Sequence, residues 1–168
     1  VSAHANVPEA APAEATRVMA GNGVIHESLN GLVFEIGPTT FFQTNTLQAE
    51  RMFALLMQWV EEIQPPCVAD LYAGTGPIAA HLSRIAKRVL AIESNPASVE
   101  AARRNFALNN IRNVDILSGE VEKRADEILK EPCDLIVVDP PRPGLHRRAV
   151  EFLLQRKASA LIYISCNP

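Results

Sequence analysis

Acidic and nucleophilic residues in this chain stand where apolar runs end: Asp70 in Val68-Ala69-Asp70-Leu71, Glu93 after Arg88 to Ile92, Asp139 after Asp134 to Val138, and Cys166 in Ser165-Cys166-Asn167-Pro168. A carboxylate so placed can accept hydrogen bonds from hydroxyl or ammonium groups of a ligand. A thiol there can serve as a nucleophile once its surroundings help it ionise. Between the first two carboxylates lies Tyr72-Ala73-Gly74-Thr75-Gly76-Pro77, and a helix is expected from Ile78 to Ala86. Gly74 and Gly76 permit positive φ and close approach of backbone to ligand, and a helix start offers unpaired N–H groups. The chemistry this suggests is nucleotide binding at an acidic rim.

The elements that must position these residues alternate along the chain. Strands are expected at Cys67 to Tyr72, Arg88 to Glu93, Val114 to Leu117, Cys133 to Val138 and Ala160 to Ile164. Helices are expected at Ile78 to Ala86, Pro96 to Leu108, Val121 to Lys130 and Arg147 to Arg156, with Asn95 capping Pro96 to Leu108. Such alternation gives an α/β fold, a doubly wound, mostly parallel sheet with helices on both faces, whose ligands sit beyond the carboxyl ends of the strands. In the order 3-2-1-4-5 the last strand lies roughly 5 Å from the fourth, which brings Cys166 near Asp139. By default, a lone cysteine at a strand end is a small buried hydrophobe. Two successive prolines, Pro140 and Pro141, stiffen the loop Asp139-Pro140-Pro141-Arg142-Pro143-Gly144 and hold Asp139 in a set direction, making it a substrate platform. Glu93, seventeen residues beyond Gly76, is placed to take ribose hydroxyls. Gly74-Thr75-Gly76-Pro77-Ile78-Ala79 also fits the looser dinucleotide fingerprint, so NAD and S-adenosylmethionine both stay open on these residues.

Before the sheet, Asn30-Gly31 marks a β-hairpin between Gly21 and Ile36, too small to stand alone. It should pack on the main domain or end a domain otherwise absent. Pro38 to Thr46 follows as a polar and aromatic loop, in which Phe41 and Phe42 are expected to anchor in the core and Gln43 and Asn45 to lie near a ligand. Leu47 to Ile63 is an amphipathic helix capped by Thr46 or Asn45. We divide the chain into a flexible lead (1–18), the hairpin and cofactor loop as the remnant of a preceding domain (19–45), and a partial catalytic domain (46–168).

At 168 residues the length suits about one domain with a real core, and 48% apolar with 21% charged residues is an ordinary globular mixture. No run approaches a membrane span or a signal peptide, so a cytoplasmic location is expected. Cys67, Cys133 and Cys166 are odd in number and far apart in sequence, against a disulfide framework or a metal site in this chain. Cys67 and Cys133, at strand beginnings, are expected to be structural. A net charge of −3 is not that of a self-sufficient nucleic-acid binder. Arg142, His146, Arg147 and Arg148 can meet phosphates locally, whereas Arg103 and Arg104 are expected to be surface charge.

Phe41-Phe42-Gln43-Thr44-Asn45, Asp70-Leu71-Tyr72-Ala73-Gly74-Thr75-Gly76, Asp139-Pro140-Pro141-Arg142 and Ser165-Cys166-Asn167-Pro168, in that order, resemble the 5-methyluridine RNA methyltransferase family from about Gly21 to Pro168. The resemblance implies S-adenosylmethionine as cofactor, with Gln43, Tyr72, Gly74, Gly76, Glu93, Glu120 and Asp139 at its pocket. Cys166 matches the family nucleophile, Asp139 stands beside it, and Arg142 and Arg147 are candidates for contacts to tRNA or rRNA. In the implied mechanism the thiolate adds to C6 of uracil, the resulting enolate takes the methyl group at C5, and loss of the C5 proton expels the cysteine. A paired base would first be flipped out. The chain departs from the pattern at Ala73 and Pro77, where many members carry a cysteine and a polar residue. Members also continue through further strands to a C-terminal glutamate base, so this chain is expected to be a fragment that binds cofactor but turns over poorly, with its fifth strand left as an edge. Other readings are a methyltransferase for another nucleobase position, a cofactor-binding module without catalysis, and a dehydrogenase.

Overall fold

Val68 to Leu71, Val89 to Ile92 and Leu135 to Val138 are largely apolar without alternation, the pattern of strands covered on both faces, and they form the middle of the sheet. The computed structural model describes residues 17–156 and 158–165. Most of the expected lead and all of Cys166 to Pro168 lie outside them. In chain order the elements are β1 (Ile25–Leu29), β2 (Leu32–Ile36), α1 (Thr46–Ile63), β3 (Cys67–Leu71), α2 (Pro77–Leu82), β4 (Arg88–Glu93), α3 (Pro96–Leu108), β5 (Val114–Ser118), α4 (Val121–Lys130), β6 (Leu135–Val138), α5 (Arg147–Gln155) and β7 (Ala160–Tyr163). The sheet order β5-β4-β3-β6-β7, parallel throughout, is the expected 3-2-1-4-5.

The pleat divides the core in two. Val68, Val89, Ala91, Leu135 and Val137 face α1, α2, α3 and the hairpin, while Ala69, Leu71, Leu90, Ile92, Ile136 and Val138 face α4 and α5. Cys67 and Cys133 are both buried, as expected, and their thiols lie side by side at the amino ends of β3 and β6, where the N–H of Asp134 donates to the carbonyl of Cys67 at 3.0 Å. Desolvation, first, and the neighbouring Cys67 push the Cys133 thiol well up from its usual range. No helix among the described residues is long and apolar enough to cross a membrane.

The hairpin packs on the main domain, burying Leu29, Leu32 and Phe34 in the α1–α3 core. It is held by polar groups as well. Asn105 on α3 and Asn109, the helix's C-cap one turn on, accept from the N–H groups of Glu35 (2.7 Å) and Val33 (3.0 Å), so their amides bind the open side of β2 as a neighbouring strand would. Arg104 is surface charge, as expected, and from its exposed position it pairs with Glu35 at 2.7 Å. Arg84 donates to the carbonyls of Asn30 and Gly31 at the hairpin turn.

His81, 1% exposed, joins α2 to the hairpin. Its ring stacks on Phe53 at 4.8 Å and Phe34 at 6.1 Å, and its nitrogens face the carbonyls of Pro77 (2.7 Å) and Leu29 (3.2 Å). A neutral ring can donate to only one of them. Burial outweighs the carbonyls and holds the ring below the usual histidine value. The unfolded chain therefore binds the proton first as pH falls below about 6.5, and stability is lost from there downward. Thermal melts at stepped pH should show wild type losing stability against His81→Phe by up to about 1.4 kcal/mol per pH unit in that window. Parallel curves would exclude this role.

Candidate active site

The parallel register sets the carboxyl ends of β3, β4 and β6 level. Leu71 pairs with Ile92 and Val138, so Tyr72, Glu93 and Asp139 emerge together at one rim. Tyr72 leaves β3 in the left-handed region at φ +65°, a conformation costing a non-glycine residue about 1 kcal/mol or more. This turns the chain into the glycine loop. The loop is closed by hydrogen bonds from Ala73 N–H to Ile92 O and from Gly76 N–H to Ala73 O, each 2.9 Å. Glu93 holds it from the side: one carboxylate oxygen accepts from Gly74 N–H at 2.8 Å and the other from Asn95 N–H at 2.6 Å. Asn95 caps α3 by accepting from Ala97 N–H at 2.9 Å, as expected.

The two glycines do different work. Both have positive φ, +57° at Gly74 and +85° at Gly76. A Cβ on Gly74 would meet nothing within 4 Å, whereas one on Gly76 would lie 2.6 Å from the Phe106 ring and 3.2 Å from Ala102 Cβ. Gly74 thus presents bare backbone to open space at the rim, and Gly76 lets α3 pack against the loop. Asn105, fully buried, ties the loop to the hairpin by donating to Thr75 O at 3.0 Å and accepting from Glu35.

Under the loop lies Asp70, with 0% of its surface exposed. Neither carboxylate oxygen has a hydrogen-bond partner among the described residues; the N–H of Ala79 in α2 is near enough to favour the charge but closes no bond of ordinary geometry. Desolvation foremost, then the charges of Asp139 and, more weakly, Glu93, push the Asp70 carboxyl well above the usual carboxylate range. The helix start contributes less than the sequence suggests. α2 has only six residues, opens on Pro77, which has no N–H, and spends the Gly76 N–H inside the loop.

The other expected residues fall around this centre. Tyr72 donates its hydroxyl to Glu122 of α4 at 2.9 Å and lies near Tyr163; desolvation and then Glu122 push its phenol up. Asp139 N–H reaches Leu71 O at 3.4 Å, and Gly144 N–H donates to Pro141 O at 2.8 Å, closing the proline loop. Ile164 N–H donates to Val138 O at 2.9 Å, so the chain after β7 runs beside the start of that loop two residues before Cys166, itself outside the described residues. Gln43 is half-buried, between a half-buried Phe42 that packs 5.7 Å from Phe34 and a Phe41 that is 52% exposed. Phe41 thus does not anchor in the core as expected. Glu120 is exposed and paired with Lys123. Arg142 is exposed, Arg147 pairs with Glu151 on its own helix with 88% of its side chain exposed, and His146 caps α5 by accepting from Arg148 N–H. Such exposed pairs are worth little to stability. Among the described residues no group of three acidic, histidine or cysteine side chains could hold a metal ion.

Sequence reading missed Asn105, Asn109 and His81. An asparagine pair at i and i+4 on the buried side of a helix was the available sign for the first two; nothing local marks His81.

The chain matches the tRNA (uracil-5-)-methyltransferase family over residues 6–168. An uncharacterised RNA methyltransferase of Clostridium tetani is 38% identical over 151 residues, covering 90% of this chain and 33% of that protein. One from Gloeobacter violaceus is 40% identical over 153 residues, covering 91% and 33%. Among solved structures, the Pyrococcus abyssi tRNA (uracil-54, C5)-methyltransferase in complex with S-adenosyl-L-homocysteine superposes with a TM-score of 0.74 at 33% identity, covering 89% of this chain and 36% of that one. The chain spans about a third of the length of these relatives. With a family match running through nearly all of its residues and every expected strand at the rim in place, the chain belongs to the tRNA (uracil-5-)-methyltransferase family.

Proposed function

We propose that this chain carries the cofactor site and nucleophile of an S-adenosylmethionine-dependent methyltransferase acting on C5 of uridine in tRNA or rRNA, and that it works in the cytoplasm. The observation that carries the reading is the glycine loop, open at Gly74 and bordered by Asp70, Glu93 and Asp139 from three adjacent strands. The residues fit the cofactor. Bare backbone at Gly74 admits close approach, carboxylates suit its hydroxyl and ammonium donors, and the acidic surroundings of the rim suit a cationic ligand. They fit a dinucleotide worse: a pyrophosphate wants helix N–H groups, and α2 offers few beside several carboxylates. Gln43, Tyr72, Gly74, Glu93, Glu120 and Asp139 are the residues that would hold it, with Gly76 shaping the loop from behind.

Bound there, the cofactor supplies an electrophilic methyl group. C5 of uracil is too weak a nucleophile to accept it unaided, and this is the task of Cys166. Its thiolate adds to C6, the C5–C6 electrons move toward the C4 carbonyl as an enolate, and C5 becomes nucleophilic. After methylation a general base takes the C5 proton, the C5–H electrons restore the C5–C6 double bond, and the C6–S bond breaks to return the Cys166 thiolate. Asp139, in a loop stiffened by three prolines, borders this reaction, and Arg142 and Arg147 take the RNA backbone. Calorimetry tests the cofactor assignment: S-adenosylmethionine should bind and NADH should not. Binding of NADH alone would replace this reading with the dehydrogenase one, and methylation of RNA at a position other than uridine C5 would move the target.

A further inference from the structure

Asp70 is costly to keep. A carboxylate with no exposed surface and two oxygens lacking hydrogen bonds among the described residues is a liability that an asparagine or an apolar residue would avoid. The charged groups acting on it are Asp139 beyond β6 and Glu93 ending β4, both acidic. From α2 it receives only the nearby N–H of Ala79, since the one titratable side chain of that helix, His81, is turned to the hairpin. The arrangement disfavours charge on Asp70 until a positive charge arrives at the rim. We propose that Asp70 is a specificity-determining residue that makes the site prefer the cationic methyl donor over its uncharged-sulfur product, through the field of its buried carboxylate rather than by contact. This rests on the cofactor reading given above.

Proton linkage supplies the preference. Donor and product share the adenosine and the amino acid, and differ by one methyl group and one positive charge at sulfur. In a poorly solvated site, a nearby cation favours the ionised carboxyl, so binding the donor draws the proton off Asp70 and releases it to solvent, while binding the product does so to a smaller extent. Once the methyl group has left, the carboxyl takes its proton back and the site loses its preference for the spent molecule. Product release is favoured without any movement of the loop.

Calorimetry on the whole chain, in two buffers of different ionisation enthalpy between about pH 5 and about pH 8, tests this with S-adenosylmethionine, sinefungin (which carries an amine in place of the sulfonium) and S-adenosylhomocysteine. Wild type is expected to release protons with the two cationic ligands and few with the third. Its preference for cation over neutral ligand should rise with pH, by at most about tenfold per unit. Asp70→Asn should abolish that proton release and narrow the preference by about tenfold or more. The variant should also fold well. A carboxyl whose folded pKa is raised loses stability as pH climbs from its ordinary value through the raised one, so Asp70→Asn should melt above wild type at about pH 7.5 and level with it near pH 4. Equal proton release in variant and wild type, or an unchanged preference, overturns the proposal while leaving the cofactor assignment standing. Failure of wild type to bind any of the three ligands overturns that assignment, and this inference with it.

Discussion

Gly76→Ala is expected to lower stability by about 2–4 kcal/mol, a fall of about 10 °C in melting temperature for a chain of this size. Two causes act together. At φ +85° an L-residue is strained whatever the space around it, and the new methyl would lie 2.6 Å from the ring of Phe106 and 3.2 Å from Ala102. Phe106 is 6% exposed and part of the α1–α3 core, so its ring has little room to withdraw. Gly74→Ala separates fold from function. Its φ of +57° carries only the backbone cost, about 1 kcal/mol, because the added methyl meets nothing within 4 Å. That open space is where the cofactor would approach, so S-adenosylmethionine affinity should fall by about tenfold or more, while melting falls by only about 2–4 °C. Melts and calorimetry on both variants decide the matter. Equal effects on stability would mean that the loop does not divide its work between the two glycines.

Cys166→Ser should reduce single-turnover methyl transfer to a uridine-containing RNA by about 10³-fold or more and leave S-adenosylmethionine affinity within about threefold of wild type. A hydroxyl titrates far above a thiol and adds to C6 of uracil poorly, so C5 is never activated. The proposed cofactor site, at Tyr72, the glycine loop and Glu93, is held by hydrogen bonds that do not involve that sulfur. Retained transfer in the variant would point to a reaction without a covalent adduct, such as methylation of an amine.

The architecture was legible because the middle strands are apolar throughout and the helices between them carry their own end signals. Asn95-Pro96 marks the start of α3, and Gly119-Glu120 and Glu131-Pro132 bracket α4. α2 ended early for a reason that periodicity does not register: Arg84 N–H and Ile85 N–H bond three residues back, to His81 and Leu82, and Ser83 Oγ turns onto Ala80 O, winding the last turn into a tighter coil. The carboxylates at the rim were legible as strand ends, but the difference among them was not. Glu93 is occupied in holding the loop and Asp70 is buried without hydrogen-bond partners among the described residues, a distinction set by parity on the pleat and by α2 packing above. His81 was illegible because its role depends on Leu29, fifty-two residues upstream. Phe41 and Phe42, adjacent and chemically alike, part company because only Phe42 meets Phe34.

Denaturing mass spectrometry after incubation with S-adenosylmethionine and an RNA carrying 5-fluorouridine tests the central claim most directly. Fluorine at C5 cannot leave as a proton does, so the adduct formed after methylation cannot eliminate the cysteine. A covalent species equal to chain plus RNA plus one methyl group, mapped to Cys166 and absent without the methyl donor, is the result the account predicts. RNA methylated with no covalent species, or an adduct mapped to Cys67 or Cys133, would contradict it.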